Sequence, residues 1–69
     1  MSTRTTGIVR WFDGSKGYGY IDADGGQEVF VHYSAITGHG LNNLNVGDRV
    51  EMLVQDSFRG PQATKVTRL

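Results

Sequence analysis

The chain has no cysteine and only one proline among its 69 residues. Without cysteine, no disulfide can support the core and no thiolate can bind a metal. The two histidines, His32 and His39, are too few for a closed structural zinc site. The apolar runs are too short to cross a membrane, and the N-terminal residues lack the apolar stretch of a secretory signal. We therefore expect one small cytoplasmic domain, residues 1–69, with no metal, no cofactor and no membrane contact.

The chain also lacks an excess of either charge. Seven basic and seven acidic residues give a formal net charge of zero. Nucleic-acid-binding domains usually carry a basic excess, so the total charge gives no indication of such a ligand. An ordinary solvated surface would show the same mixture of signs.

What the sequence contains is a series of short stretches rich in valine, isoleucine, threonine and aromatic residues, bounded by Gly, Asp and Asn. The pattern predicts five strands, at residues 5–13, 18–23, 28–33, 49–56 and 61–69. A helical turn is predicted at residues 34–36, with Ser34 as its cap, followed by a long loop at residues 37–48. An open sheet of this size would leave unpaired edges and an uncovered face. We therefore expect an all-β, closed barrel.

Side chains on a strand alternate between two faces, and here the alternation separates aliphatic from aromatic residues. The predicted core is aliphatic: Val9, Ile21, Val29, Val31, Val50, Met52, Val54 and Val66. The opposite face of the second and third strands carries four rings: Tyr18, Tyr20, Phe30 and His32. Trp11 lies on the strand before them. Several exposed rings side by side indicate an interaction surface; the alternative is an inverted barrel with the rings inside.

Flat rings beside positive charges suit unpaired nucleic-acid bases, because any base can stack on an aromatic ring. Arg10, Lys16 and Arg59 lie near the rings in sequence and are expected to contact phosphates. Each stack contributes about 1–3 kcal/mol, so stacking would supply most of the affinity and the salt dependence would be weak. Since a duplex hides its base faces, the residues predict binding of single strands.

Two motifs in this region resemble those of the bacterial cold-shock protein family. Residues 16–21, KGYGYI, resemble the first ribonucleoprotein motif, and residues 29–33, VFVHY, resemble the second. The rest of the family pattern is matched by residues 7–12, 34–36 and 59–63. The match covers residues 7–69 in the family's order, which makes it far more specific than one motif alone.

The resemblance implies a five-stranded antiparallel OB-fold barrel that binds single-stranded RNA and DNA. It further implies an RNA chaperone, with expected roles in cold-shock or stress adaptation and in regulating transcription or translation. The implied base-stacking residues are Trp11, Tyr18, Tyr20, Phe30, His32 and Tyr33. Arg10, Lys16 and Arg59 are implied to contact the backbone or base edges. Strict alternation puts Tyr33 on the core side; its assignment to the surface rests on its strand-end position and on the family.

The chain departs from the family pattern at several positions. Three of its rings are tyrosines where the family usually has phenylalanine, a change that preserves stacking. Asp13 places a negative charge near the ligand where asparagine is common, and Lys65 also replaces a frequent asparagine. Leu41 stands in the long loop where an aromatic residue is frequent. We therefore expect a shorter or looser footprint on the Leu41 side.

Other classes of protein share parts of this pattern. A small barrel that binds peptides in an aromatic groove stays open. An RNA-recognition motif would need two helices, a longer chain and the two motifs in the opposite order. An enzyme is not expected, because stacking is a sufficient role for His32, His39 lies in a glycine-flanked loop, and no phosphate-cradling loop precedes a helix. We expect a monomer, with strand exchange through residues 37–47 as the route to a dimer.

Overall fold

The computed structural model describes residues 2–37 and 44–69, in which five strands form a closed barrel. The strands are β1 (Ser2–Asp13), β2 (Tyr18–Ala23), β3 (Glu28–His32), β4 (Arg49–Ser57) and β5 (Gly60–Arg68). A short 3₁₀ helix, Tyr33–Ala35, follows β3. The order around the barrel is β1-β2-β3-β5-β4, with β4 pairing back onto β1. The predicted all-β barrel of five strands is confirmed.

The pair formed by β3 and β5 completes the ring and runs parallel, unlike the other strand pairs. β1 pairs antiparallel with β2 and β4, and so do β2 with β3 and β4 with β5. β3 and β5 meet in parallel at Phe30 and Gln62. An odd number of strands in a ring cannot alternate direction at every step, so one parallel pair is unavoidable. The expectation of antiparallel pairing therefore holds everywhere except at this closure.

The element boundaries differ from the predicted ones by a few residues. β1 begins at Ser2 because its first residues pair with the far end of β4. The 3₁₀ helix begins at Tyr33, so β3 ends one residue earlier than predicted. Its cap is His32, whose ring accepts the Ser34 backbone N–H, so the prediction of Ser34 as the cap is wrong. His39 and Leu41 lie outside the described residues.

Aliphatic side chains fill the barrel. The buried hydrophobic residues are Val9, Ile21, Ala23, Val29, Val31, Leu44, Val50, Met52, Ala63 and Val66. Every predicted core residue belongs to this set except Val54, which is only half-buried and packs against it. Val54 lies near the end of β4 and opposite Thr3, near the start of β1, so it is close to the rim of the barrel. The inverted barrel is excluded, because the valines of β3 are inside.

Candidate nucleic-acid interface

A β-bulge in β1 turns Trp11 out of the barrel. Val9 pairs with Ile21 but Trp11 pairs with Tyr20, so Arg10 is an extra residue in β1. Strict alternation from the buried Val9 would have placed Trp11 inside. The bulge shifts the register by one residue, and Trp11 joins Tyr20 on the outer face with 39% of its surface exposed.

The close approach of β1 to β2 depends on Gly19. This residue lies between Tyr18 and Tyr20 and points inward. A Cβ atom at Gly19 would collide with the carbonyl oxygen of Trp11 and lie 2.7 Å from the Cα of Phe12. Both are backbone atoms of β1, so they cannot move aside without disturbing the strand pairing. The two tyrosines therefore flank the one position in β2 where the neighbouring backbone leaves no room for a side chain.

Four rings form one continuous group on the outer face of β1, β2 and β3. This ring cluster consists of Trp11, Tyr18, Tyr20 and Phe30. The Trp11 ring centroid is 5.7 Å from those of both tyrosines, and the Phe30 centroid is 5.9 Å from Tyr18 and 5.6 Å from Tyr20. Two of the four pairs are edge-to-face, an arrangement that aromatic pairs prefer, and the other two are tilted. Strand register produces the cluster, since Tyr20 lies opposite both Trp11 and Phe30.

A second pair of rings lies where β3 ends. The His32 and Tyr33 centroids are 4.5 Å apart, with planes inclined by 36°. The Tyr33 N–H donates to the Gly17 carbonyl at 2.8 Å. Gly17 has φ +80°, and a Cβ there would come within 2.6 Å of the Tyr33 ring. The end of β3 thus places Tyr33 at the surface, half exposed, whereas alternation alone put it in the core.

A hydrogen bond to the backbone fixes the orientation of His32. The Ser34 N–H donates to Nδ1 at 3.3 Å, and the Ser34 Oγ lies 2.8 Å from the same nitrogen. An Nδ1 that accepts a backbone N–H carries no proton, so the neutral ring is protonated at Nε2. His32 can therefore offer a flat face and one N–H donor. Because His32 lies opposite Tyr18, the pair adjoins the ring cluster.

Arg10 is held by two carboxylates on the neighbouring strands. Its Nη1 lies 2.5 Å from Glu28 Oε2 and 3.6 Å from Asp22 Oδ1. All three side chains are about half exposed, and exposed ion pairs of this kind are weak. A phosphate can therefore compete for Arg10. Neither carboxylate could be assigned to Arg10 from the sequence, because the strand register makes Asp22 and Glu28 cross-strand partners.

The turn after β1 carries Lys16 and is organised by Asp13. Asp13 Oδ1 accepts hydrogen bonds from the Ser15 hydroxyl at 2.8 Å and from the N–H groups of Ser15 and Lys16 at 3.0 and 3.1 Å. The Ser15 hydroxyl first, then the Lys16 N–H, lower the pKa of Asp13 below its ordinary value. Asp13 therefore keeps its negative charge at neutral pH, beside the backbone N–H of Lys16.

Lys16 and Arg59 are both exposed in turns. Arg59 lies between β4 and β5, where its N–H donates to the Ser57 Oγ at 3.2 Å. Over residues 2–37 and 44–69, the ion pairs involve Arg10, Arg49 and Arg68, and not these two cations. The same part of the chain has no group of three His, Cys, Asp or Glu residues that could hold a metal. No helix in the described ranges is long and apolar enough to cross a bilayer.

Comparisons with known proteins show the family of the chain. The model of the 'Cold-shock' DNA-binding domain family matches residues 5–69. The chain is 52% identical over 64 residues to cold shock-like protein CspLB of Listeria monocytogenes, covering 93% of this chain and 97% of that protein. It is 46% identical over 70 residues to cold shock-like protein CspB of Yersinia pestis, over the full length of both.

A solved structure supports the fold independently. The structure of drosophila Unr CSD456 aligns with a TM-score of 0.80 and 20% identity, over 97% of this chain and 27% of that one. At this identity the likeness concerns the fold, and it agrees with an OB-fold barrel. The family match and the two relatives show the classification. The chain belongs to the cold-shock domain family, a family of nucleic-acid-binding domains.

Proposed function

We propose that the chain binds single-stranded RNA and DNA with little sequence preference, by stacking unpaired bases on the ring cluster and on His32 and Tyr33. The observation that carries the proposal is the continuity of these rings over the outer face of three strands. The fold gives that face no covering element among the described residues, and the rings remain half-buried or exposed. A partly covered row of rings leaves faces and edges free for bases to stack on.

The balance of charge makes stacking the main source of affinity. Only Arg10, Lys16 and Arg59 are proposed to contact phosphates, so few counterions would be released on binding. Each stacked base contributes about 1–3 kcal/mol, and several stacks outweigh two or three phosphate contacts. Lys16 and Arg59 contact phosphates directly, and Arg10 does so when a phosphate displaces Glu28. Binding should therefore weaken only slowly as salt rises.

Stacking of this kind explains how such a protein acts as an RNA chaperone. A protein that binds open strands but not paired ones stabilises the open form by mass action. Because any base can stack, the effect does not require a particular sequence. Binding alone suffices, so no catalytic role is assigned to His32. One copy carries the whole surface, and we propose a cytoplasmic monomer that limits RNA secondary structure in stress adaptation and in gene expression.

A fluorescence titration tests the proposal, with Trp11 as the intrinsic probe. Oligothymidine and a duplex of equal length are titrated at two salt concentrations, beside a proline-rich peptide. We expect quenching and saturation with the single strand, weak binding of the duplex, and a total salt slope of only about −1.4 to −2.1, from two or three neutralised phosphates at about −0.7 each. Duplex binding as tight as single-strand binding would contradict stacking. Saturable binding of the peptide alone would replace the proposal with a peptide-interaction module.

A further inference from the structure

Phe58 is 98% exposed, the highest value among the exposed large hydrophobic residues of the described chain. It occupies the β4–β5 turn together with Arg59. The turn is well defined: Ser57 pairs with Gly60, and the Ser57 hydroxyl donates to the Gly60 carbonyl at 2.8 Å. Gly60 has φ +103°, a conformation that suits glycine at the end of such a turn. The Phe58 ring is therefore exposed to solvent on a hydrogen-bonded turn.

The turn lies beside the ring cluster because of the parallel pairing of β3 with β5. Phe30 opposes Gln62, so Gly60 lies level with Glu28, two residues earlier on each strand. The turn continues beyond Gly60 on the side of β3 away from β2. From ordinary strand dimensions, the Phe58 backbone lies roughly 12 Å from that of Phe30. A bound nucleic-acid strand that crosses the ring cluster toward β5 would reach this turn next.

Single exposed apolar side chains are common and need no ligand to explain them. Phe58 differs by its position, because its turn lies beside the strand that carries Phe30 and because it adjoins the exposed cation Arg59. We propose that Phe58 is an additional base-stacking site, which takes an unpaired nucleotide from the same bound strand while Arg59 contacts its phosphate. This inference rests on the proposed function and lengthens the footprint at the β4–β5 end.

Length dependence separates Phe58 from the ring cluster. Oligothymidines of increasing length are titrated into the wild type, Phe58→Ala and Phe30→Ala. We expect Phe58→Ala to bind the shortest oligomers like the wild type and the longer ones about five- to tenfold more weakly, the loss of one stack. Phe58→Tyr should restore the affinity. Val46→Ala is the matched control, because Val46 is an exposed apolar residue in a different turn, 72% exposed.

Moving the tryptophan from position 11 to position 58 gives a direct fluorescence signal from the turn. Trp11 is the only tryptophan, so the double variant Trp11→Phe/Phe58→Trp reports from the turn alone. Its fluorescence should change with long oligomers and stay constant with the shortest ones. If Phe58→Ala matches the wild type at every length while Phe30→Ala is weakened, the Phe58 site is refuted and the proposed function stands. If neither variant loses affinity at any length, stacking itself fails, and the Phe58 site with it.

Discussion

On the inner face of β2 and β3, Ile21, Val29 and Val31 have no exposed surface, whereas on the outer face Tyr20 and Phe30 keep part of theirs. The same two strands therefore carry the residues that hold the barrel together and those proposed to bind. The inner residues gain their whole transfer energy on folding. The outer rings gain only part of it, and the remainder is available to a ligand. Substitutions on the inner face should thus lower stability, whereas substitutions on the outer face should lower binding affinity.

The largest expected effect is on stability, at a position where the packing between β1 and β2 supports both faces. Gly19→Ala places a methyl group against the backbone of β1, and we expect it to lower the free energy of unfolding by about 3 kcal/mol. Urea denaturation checks this value. Gly25→Ala is the control, since a Cβ there meets nothing within 4 Å and should change stability little. Equal stabilities of the two variants would show that the close approach at Gly19 is unimportant.

A smaller effect concerns the cation at the edge of the outer face. Glu28→Gln removes the carboxylate nearest to Arg10 and leaves Asp22 at 3.6 Å. We expect single-strand affinity at low salt to rise about two- to fivefold, as for a weak exposed ion pair that no longer competes. The salt slope should steepen by at most about 0.7, one more phosphate neutralised. Stability should change little.

The control for this change is Asp24→Asn, which removes a carboxylate paired with Arg49 at 3.7 Å. Both variants make the net charge more positive by one unit, but only Glu28→Gln frees Arg10. Equal gains in affinity would show that overall charge, and not the release of Arg10, is responsible.

The smallest expected effect concerns Asp13 in the Lys16 turn. Its pKa is lowered in the folded state, so its contribution to stability is fully present above the unfolded pKa of about 3.9 and is lost as pH falls through the folded pKa. The urea midpoint at pH 7 should be slightly lower for Asp13→Asn than for the wild type, because the neutral amide oxygen accepts the same hydrogen bonds without the help of a charge. Below pH 4 the wild type should lose more stability than the variant.

Asp13→Asn also removes a negative charge close to the expected ligand path. Single-strand affinity at neutral pH should rise about twofold at low salt, and the gain should disappear at high salt because exposed charges are screened. A gain that persists at high salt would point to a direct contact of residue 13 with the ligand.

Alternation along the strands was enough to predict which residues of β2 and β3 are buried. It failed in β1 and at the end of β3 for local reasons. The orientation of Trp11 depends on a β-bulge, and no residue type in this segment predicts a bulge. Tyr33 leaves the strand because a 3₁₀ helix begins there, so its surface position had to be taken from the family resemblance.

Contacts between strands were the least predictable part of the site. The carboxylates beside Arg10 come from β2 and β3, and they can be found only once the register is known. The same holds for the parallel closure that brings the β4–β5 turn beside Phe30. Val54 illustrates a different limit, because alternation gives the face of a residue but not how completely the barrel covers it.

The most direct test compares Phe30→Ala with Val31→Ala, two neighbours on opposite faces of β3. Urea denaturation and oligothymidine titration are measured on both variants. We expect Phe30→Ala to lose about 1–3 kcal/mol of binding free energy with a small change in stability. Val31→Ala should lose roughly 0.5–3 kcal/mol of stability and, while folded, bind like the wild type. If Phe30→Ala remains folded and binds as tightly as the wild type, the outer face of β3 is not the binding surface.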